Sequence, residues 1–364
     1  MSKKKTRAGK LNMTEMRKMM NKRAGQTVAH DLRKENPTSV KEWIPTGSRW
    51  LDSIICRGKL AGIPVGKITE IAGLPSTGKS YMAAHIAANA QKMGMDVIYF
   101  DSESAIDPDF LQKVGVDLDR FGYVQATTVE YVLSSIEDLM DSGNKLLFIW
   151  DSLAHTPNDK DIESNFDPQS SIALKARVLA YGMQKLTVPL ANTQCTFLVL
   201  NQLKTNIGHG PNARIQAMIN PYTTPGGKAM NYSASLRIWL TKREAKAGQV
   251  IDEKDTRIGN EIKATIKKSR FGTENRNCNF KIIWAGTDVV ILDEESWLDA
   301  IKSSHALANA GAWYNLKSSS GQEFKFQAKN WVEKLKEPEF RQLVFNIMDE
   351  EVIMKFNSDG EGEA

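Results

Sequence analysis

Long hydrophobic runs are missing from this chain. None approaches the ~18–20 consecutive apolar residues that a membrane-spanning helix needs, so no span is expected. Cysteine is scarce: Cys56, Cys195 and Cys278 lie far apart and form no C-x-x-C pair. That spacing argues against a zinc site and a disulfide framework and suits a reducing compartment, which we expect to be the cytoplasm. Cys195 sits in an apolar run and reads as core. The opening Met-Ser-Lys-Lys-Lys-Thr-Arg lacks the apolar stretch of a secretory leader. No internal repeat is apparent. What is present is ordinary for a globular protein: 364 residues, 41% hydrophobic and 25% charged, enough for one large core and a smaller satellite. The net charge of +5 is unevenly spread. Residues 1–23 carry nine Lys/Arg against one Glu, and the chain ends in the acidic Asn357–Ala364. A basic arm suits an anionic partner or simply a solvated tail.

The most informative stretch is Gly73-Leu74-Pro75-Ser76-Thr77-Gly78-Lys79-Ser80, which fits the pattern G-x-x-x-x-G-K-[ST]. Ile68–Ile71 reads as a short strand before it. The sequence from Tyr81 onward reads as a helix with Met82, Ile86, Ala90 and Met93 on one face. Strand, glycine-bounded loop and helix are what phosphate binding needs. Consecutive backbone N–H groups curl around a phosphate, and the helix N-terminus adds a positive dipole end. Lys79 is expected to reach the β- and γ-phosphates of ATP, and the Ser80 hydroxyl to ligate Mg²⁺.

Residues 1–24 read as a basic, Met-rich amphipathic helix (Leu11, Met13, Met16, Met19, Met20) that packs on a neighbouring subunit, contacts DNA, or frays. Residues 25–42 read as a linker. After the loop helix, Asp96–Asp101 is a strand followed by Ser102-Glu103-Ser104. Acidic residues just past a strand's carboxyl end sit where open α/β sheets bind ligands. Glu103 is therefore a candidate to orient the attacking water, the alternative being a solvated loop carboxylate. Leu146–Asp151 is an apolar strand ending in a carboxylate that suits Mg²⁺ through its water shell. Residues 153–170 read as a polar loop, followed by a helix carrying Arg177. Cys195–Gln202 is another buried-type strand, with Gln202 placed to read the γ-phosphate. The long irregular stretch 203–228 holds Lys204, Arg214, Gly226, Gly227 and Lys228, and loops of that length are usually functional or disordered. Strands beyond it alternate (Ile262, Ala264 and Ile266 against Lys263, Thr265 and Lys267), so the sheet is expected to turn antiparallel. Lys267–Arg270 is a cationic strand end, or a solvated edge. From residue 288 a small α+β region follows, with Trp313–Tyr314 and Phe324–Phe326 in a hairpin.

Taken together, these motifs closely resemble the RecA family of recombination ATPases over roughly residues 43–340. The likeness rests on Thr46-Gly47-Ser48, Leu51-Asp52, Gly73–Ser80 and Phe100–Pro108. It continues through Gly115-Val116-Asp117, Trp150-Asp151-Ser152, Asn201-Gln202, Ile207-Gly208, Thr224–Ala229 and Ala310-Gly311-Ala312-Trp313-Tyr314. The P-loop alone is common to many NTPases; the ordered set is specific. The resemblance implies an α/β fold: a P-loop core with a mostly parallel twisted sheet, an amino-terminal arm (1–42), a core (43–287), a small α+β domain (288–350) and an acidic tail (351–364). It implies Glu103 as the catalytic glutamate, Asp107 and Phe110 at the adenine, Asp151 at Mg²⁺ and Gln202 as the γ-phosphate sensor. It also implies DNA-binding loops near 156–171 and 203–228 with Arg177 and Lys204 on DNA, and Lys268 and Arg270 reaching a neighbouring subunit's ATP.

Gln184, Asn206 and Asn231 depart from the family's usual basic residues, and the second loop is longer, with Pro211, Ile215, Met218, Ile219 and Pro221. Arg214, Lys228 or the basic arm could compensate. The expected activity is ATP-dependent strand exchange by a helical homo-oligomeric filament on single-stranded DNA that pairs with double-stranded DNA, loading or mediator proteins being possible partners. A hexameric helicase would need an extra amino-terminal domain. A regulatory paralogue that binds nucleotide but hydrolyses it poorly is disfavoured by intact Lys79, Glu103, Asp151 and Gln202.

Overall fold

The computed structural model describes residues 11–25, 27–34, 36, 38–163, 172–207, 213–242, 248–284 and 290–355. It divides into two compact units, one ending at Lys41 and one beginning at Glu42.

The first unit carries α1 (Met13–Ala24). Asn12 and Glu15 form a reciprocal capping box at its start, and Gly25 closes it in the left-handed conformation. The Asn21 side chain accepts from the N–H groups of Val28 and Ala29, and Arg17 pairs with Asp31 at 3.1 Å, so the chain folds back on the helix. No residue of α1 is buried, and Met13, Met16, Met19 and Met20 are exposed. The expected helical residues 1–10 lie outside the described residues.

The second unit opens with β1 (Trp43–Ile44), α2 (Arg49–Ile55) and β2 (Ile63–Pro64), with β1 and β2 antiparallel. The alternating run that follows is β3 (Ile68–Gly73), α3 (Lys79–Lys92), β4 (Asp96–Asp101), α4 (Pro108–Val114), β5 (Phe121–Gln125), α5 (Val129–Met140) and β6 (Leu146–Asp151). It continues through α6 (Asp159–Glu163), α7 (Ile172–Thr193) and β7 (Thr196–Gln202). A short ribbon of β8 (Lys204–Thr205) and β9 (Tyr222–Thr223) flanks α8 (Ala213–Ile219), and α9 (Ala229–Ser233) leads to β10 (Leu236–Lys242). The strands β11 (Gln249–Ile251), β12 (Arg257–Ser269), β13 (Asn277–Ile283) and β14 (Val290–Leu292) complete the main sheet.

Its order is β14-β13-β12-β10-β3-β7-β6-β4-β5, with β11 on β12. The block from β10 to β5 is parallel, and β12, β13 and β14 join antiparallel. The burial pattern explains the switch. β3, β6 and β7 are buried almost throughout because helices cover both faces, whereas β12 and β13 alternate buried and exposed positions. One core cluster joins α2, α3, β12 and β13, and a second joins α5, α7 and the other side chains of β6 and β7.

At the carboxy-terminal side, α10 (Asp293–Ala300) is followed by the antiparallel sheet β15 (Leu307–Ala310), β16 (Trp313–Lys317) and β17 (Glu323–Gln327). The expected hairpin is β16–β17, and β15 adds a third strand. Its apolar face carries Phe324 and Phe326 against Trp331 of α11 (Trp331–Lys334) and Phe340 of α12 (Pro338–Ile347), with ring centroids 5.3–5.5 Å apart. Among the described residues no helix is long and apolar enough to cross a membrane.

Candidate active site and nucleic-acid interface

The site is built at one end of adjacent parallel strands. Gly73, the last residue of β3, pairs with Gln202 at the end of β7, and Asp101 at the end of β4 pairs with Asp151 at the end of β6. All these residues therefore stand at the carboxyl edge, where ligands bind in such sheets.

The P-loop runs from Gly73 to Ser80. Thr77 Oγ1 donates to Leu74 O at 2.8 Å, Leu74 N–H to Leu240 O at 3.3 Å, and Leu203 N–H to Gly73 O at 3.0 Å, so the loop is closed on itself and stapled to both neighbouring strands. Gly78 caps α3 at φ +78°, a backbone conformation that favours glycine, and a Cβ there would push the Ile282 Cδ1 methyl, 2.5 Å away, aside. Lys79, the first residue of α3, donates to Gly73 O and Leu74 O at 3.4 and 3.3 Å. Burial lowers its pKa, while Asp151 and Glu103 pull the other way. Pro75 and Ser76 stand exposed at the loop's tip.

Asp151 Oδ2 accepts from Ser80 Oγ at 2.6 Å and from Tyr99 Oη at 2.7 Å. Burial raises its pKa and the charge of Glu103 adds to the rise, against the two hydrogen bonds and Lys79. A hydroxyl and a carboxylate oxygen in contact beside a phosphate-shaped loop are hard donors of the kind Mg²⁺ takes. Among the described residues no group of three or more His, Cys, Asp or Glu side chains is arranged to hold a metal. Mg²⁺ typically uses one or two protein oxygens plus phosphates, so the residues fit it.

Glu103 is aimed by Asp101, a residue whose role no sequence pattern marks. Asp101 Oδ1 accepts from the N–H groups of Glu103 and Ser104 at 2.8 and 2.9 Å, and Oδ2 from Ala105 N–H at 3.1 Å. The Glu103 carboxylate then meets Ser152 Oγ at 2.7 Å and His155 Nδ1 at 2.6 Å. Gln202 Nε2 is 3.1 Å from the same His155 nitrogen.

A cavity of about 270 Å³ opens beside Ser80 and is lined by Tyr81, Asp107, Phe110 and Trp284. The Tyr81 and Phe110 rings meet at 4.7 Å, tilted 53° to each other, and Asp107 caps α4. Sequence reasoning misses Trp284 because it follows β13, far along the chain from Ser80. Its only sequence signal is an aromatic at the end of an alternating strand. Aromatic rings beside a carboxylate suit a purine, which offers a face to stack and an amino group to donate.

Just beyond the strand ends, Gly226 and Gly227 turn with φ +93° and +65° against Leu153, Leu179 and Ala176, the last adjoining exposed Arg177 on α7. Lys228 is exposed just beyond them, and Lys204 is exposed opposite Thr223 in the ribbon. Arg214 is exposed on α8. Ile207, Ile215, Met218 and Ile219 are also exposed, Ile207 at 85%. Residues 164–171 and 208–212 of the two expected loops lie outside the described residues. Lys268 and Arg270 are not brought to the P-loop. Lys268 pairs with Arg237, which itself pairs with Glu70, and Arg270 N–H bonds Ser235 O, toward the other end of β3. Lys268 Nζ donates to Asn231 O and Tyr232 O at 2.5 and 3.2 Å, and Arg270 Nη2 to Tyr232 O at 2.9 Å. Burial, then Arg270 and Arg237, push the Lys268 pKa down to about 8.

The RecA N-terminal domain family matches residues 11–288. The chain belongs to the RecA family. The RecA protein of Symbiobacterium thermophilum is 31% identical over 294 residues, 80% of this chain and 78% of that protein. Those of Leifsonia xyli and Mannheimia haemolytica are each 32% identical over 292 residues, 80% of this chain and 76% and 74% of theirs. RecA proteins are DNA-dependent ATPases, and this RecA-family chain is an ATP-dependent DNA recombinase of recombination and repair.

Proposed function

We propose that this chain forms helical filaments on single-stranded DNA, clamps ATP between protomers and pairs the bound strand with homologous double-stranded DNA. The observation that carries this reading is the convergence of Lys79, Ser80, Glu103, Asp151 and Gln202 on the ends of β3, β7, β6 and β4. Backbone N–H groups of residues 76–80 and the Lys79 side chain take the phosphates. Tyr81, Asp107, Phe110 and Trp284 take the base. Ser80 and Asp151 hold Mg²⁺, which when bound neutralises charge on the phosphates. Glu103 aligns the attacking water, and Gln202 senses the γ-phosphate and passes that state through β7 into the loop at 203–228.

Arg177, Lys204, Arg214 and Lys228 take DNA phosphates, with Gly226 and Gly227 letting the backbone approach. The exposed Ile207, Ile215, Met218 and Ile219 hold bases apart. Lys268 and Arg270, remote from their own P-loop, serve the neighbour's ATP. The basic arm, residues 1–42, contributes to the filament contact, and the region from 288 to 350 forms the satellite domain before the acidic end. The setting is the cytoplasm, on nucleoid DNA, with mediator proteins assisting loading.

The test is ATP hydrolysis with and without single-stranded DNA, with Glu103→Gln as the control. Strong stimulation of the parent chain, and a variant that binds DNA without hydrolysing, are expected. Weak turnover indifferent to DNA overturns the reading.

A further inference from the structure

One oxygen of Glu103 is already engaged by its own subunit. Its Oε1 accepts from Ser152 Oγ at 2.7 Å and lies 2.6 Å from His155 Nδ1. A carboxylate only accepts, so the ring nitrogen carries the hydrogen in that contact. Gln202 Nε2 sits 3.1 Å from the same nitrogen. A nitrogen that donates to Glu103 has no lone pair left for an amide donor, so the Gln202 amide is left to the other ring nitrogen: His155 Nε2 accepts from Gln202 Nε2 at 3.5 Å. One imidazole stands between the water-aligning carboxylate and the γ-phosphate sensor.

That imidazole rides on a braced turn. Thr156 Oγ1 donates to Ser152 O at 3.0 Å and accepts from Trp150 Nε1 at 2.8 Å. Lys175 Nζ, on α7, donates to Ala154 O at 3.3 Å and Thr156 O at 2.6 Å, the carbonyls on either side of His155. Lys175 lies two residues before Arg177, and the turn runs on through Pro157 into α6. The ring is therefore tied on one side to the chemistry and on the other to the elements expected to meet DNA.

We propose that His155 is a positioning residue: it holds Glu103 in an unreactive pose in the DNA-free subunit and releases it when DNA shifts the 152–156 turn. A carboxylate oxygen already accepting two hydrogen bonds is a poorer partner for water. The inference rests on the assignment of Glu103 as the water-aligning group.

The test measures kcat and KM for ATP hydrolysis by the full chain, with and without single-stranded DNA, for His155→Ala, His155→Asn and Glu103→Gln, and for His155→Ala combined with Glu103→Gln. His155→Ala is expected to raise the DNA-free kcat about ten-fold, the effect of removing one charge-assisted hydrogen bond, at unchanged KM. Its DNA-saturated kcat stays within about two-fold of the parent, so stimulation collapses. His155→Asn, whose Nδ2 can donate from nearly the place of Nδ1, returns the DNA-free rate to the parent value. Glu103→Gln silences both backgrounds. A DNA-free kcat that is unchanged or lower in His155→Ala, or a change confined to KM, overturns the proposal. Persistent turnover in Glu103→Gln overturns instead the assignment on which it rests.

Discussion

Arg237 Nε donates to Glu70 Oε2 at 2.5 Å, between the directly paired strands β10 and β3 and almost wholly out of solvent. The pair is extended. Asn201 Nδ2 donates to the other Glu70 oxygen at 2.9 Å and to Pro225 O at 3.1 Å, and Arg237 reaches the Thr224 hydroxyl at 3.1 Å and the Asn231 side chain. This polar cluster joins the strand that ends in Gln202 to the exit of the second loop. Breaking it by Glu70→Ala strands a buried guanidinium and is expected to cost about 3–5 kcal/mol in urea unfolding. Replacing both partners, Glu70→Leu with Arg237→Met, costs far less stability, because no unpaired charge remains, yet lowers the stimulation of ATP hydrolysis by DNA. A double variant as unstable as the single one would refute this.

Stability should fall as pH rises through the neutral range, and Asp52 is the reason. Burial pushes its carboxyl up to about 8, nearby Asp293 adds to the rise, and hydrogen bonds from Thr46 oppose it. The unfolded carboxyl releases its proton near 3.8. Between those values the folded state holds more protons than the unfolded state, so raising pH favours unfolding, by at most about 1.4 kcal/mol per pH unit from one group. Asp52→Asn, which mimics the protonated acid, should flatten the decline between pH 5 and about 8 in denaturant midpoints. An unchanged slope would show that Asp52 is ionised in the fold.

The phosphate site is legible in the sequence because its chemistry demands contiguous residues: a glycine-bounded loop, a lysine and a hydroxyl on one helix start. The strand ending in Asp151 and the change from parallel to antiparallel pairing are legible from apolar runs giving way to alternation. Trp284, Asp101 and His155 are not, for different reasons. Trp284 reaches the cavity only because the sheet carries β13 back beside α3. Asp101 acts through backbone N–H groups, which no pattern marks. His155 gains meaning only from a 2.6 Å approach to a residue 52 positions away. Glu70 and Arg237 look like two ordinary strand charges until the fold closes the 167 residues of separation between them.

The two loops should divide DNA affinity between charge and shape. Replacing Arg177, Lys204, Arg214 or Lys228 by Ala is expected to weaken single-stranded DNA binding alike for all sequences. Removing the cation from one phosphate should reduce the slope of log K against log salt by about 0.7. Ile207→Ala, exposed and uncharged, should weaken binding with no change in that slope. Fluorescence anisotropy titrations between low and moderate salt separate the two classes. A slope change with Ile207→Ala, or none with the cationic variants, would contradict the division.

Lys268 and Arg270 hydrogen-bond the last carbonyls of α9 and lie toward the strand end opposite Gly73, so on the proposed reading the ATP they serve is another copy's. Lys268→Ala keeps its own Glu103 but offers its neighbour no cation; Glu103→Gln does the reverse. Each alone should be inactive. In an equal mixture a head-to-tail filament contains complete sites at roughly one interface in four, where the Glu103 of one variant meets the Lys268 of the other. Recovery of DNA-dependent turnover on mixing two inactive preparations is therefore expected. If mixing restores nothing while each variant still assembles on DNA, the cation works within its own subunit, and the chain must rearrange far more on binding nucleotide than the spacing of Lys268 and Gly73 along these strands allows.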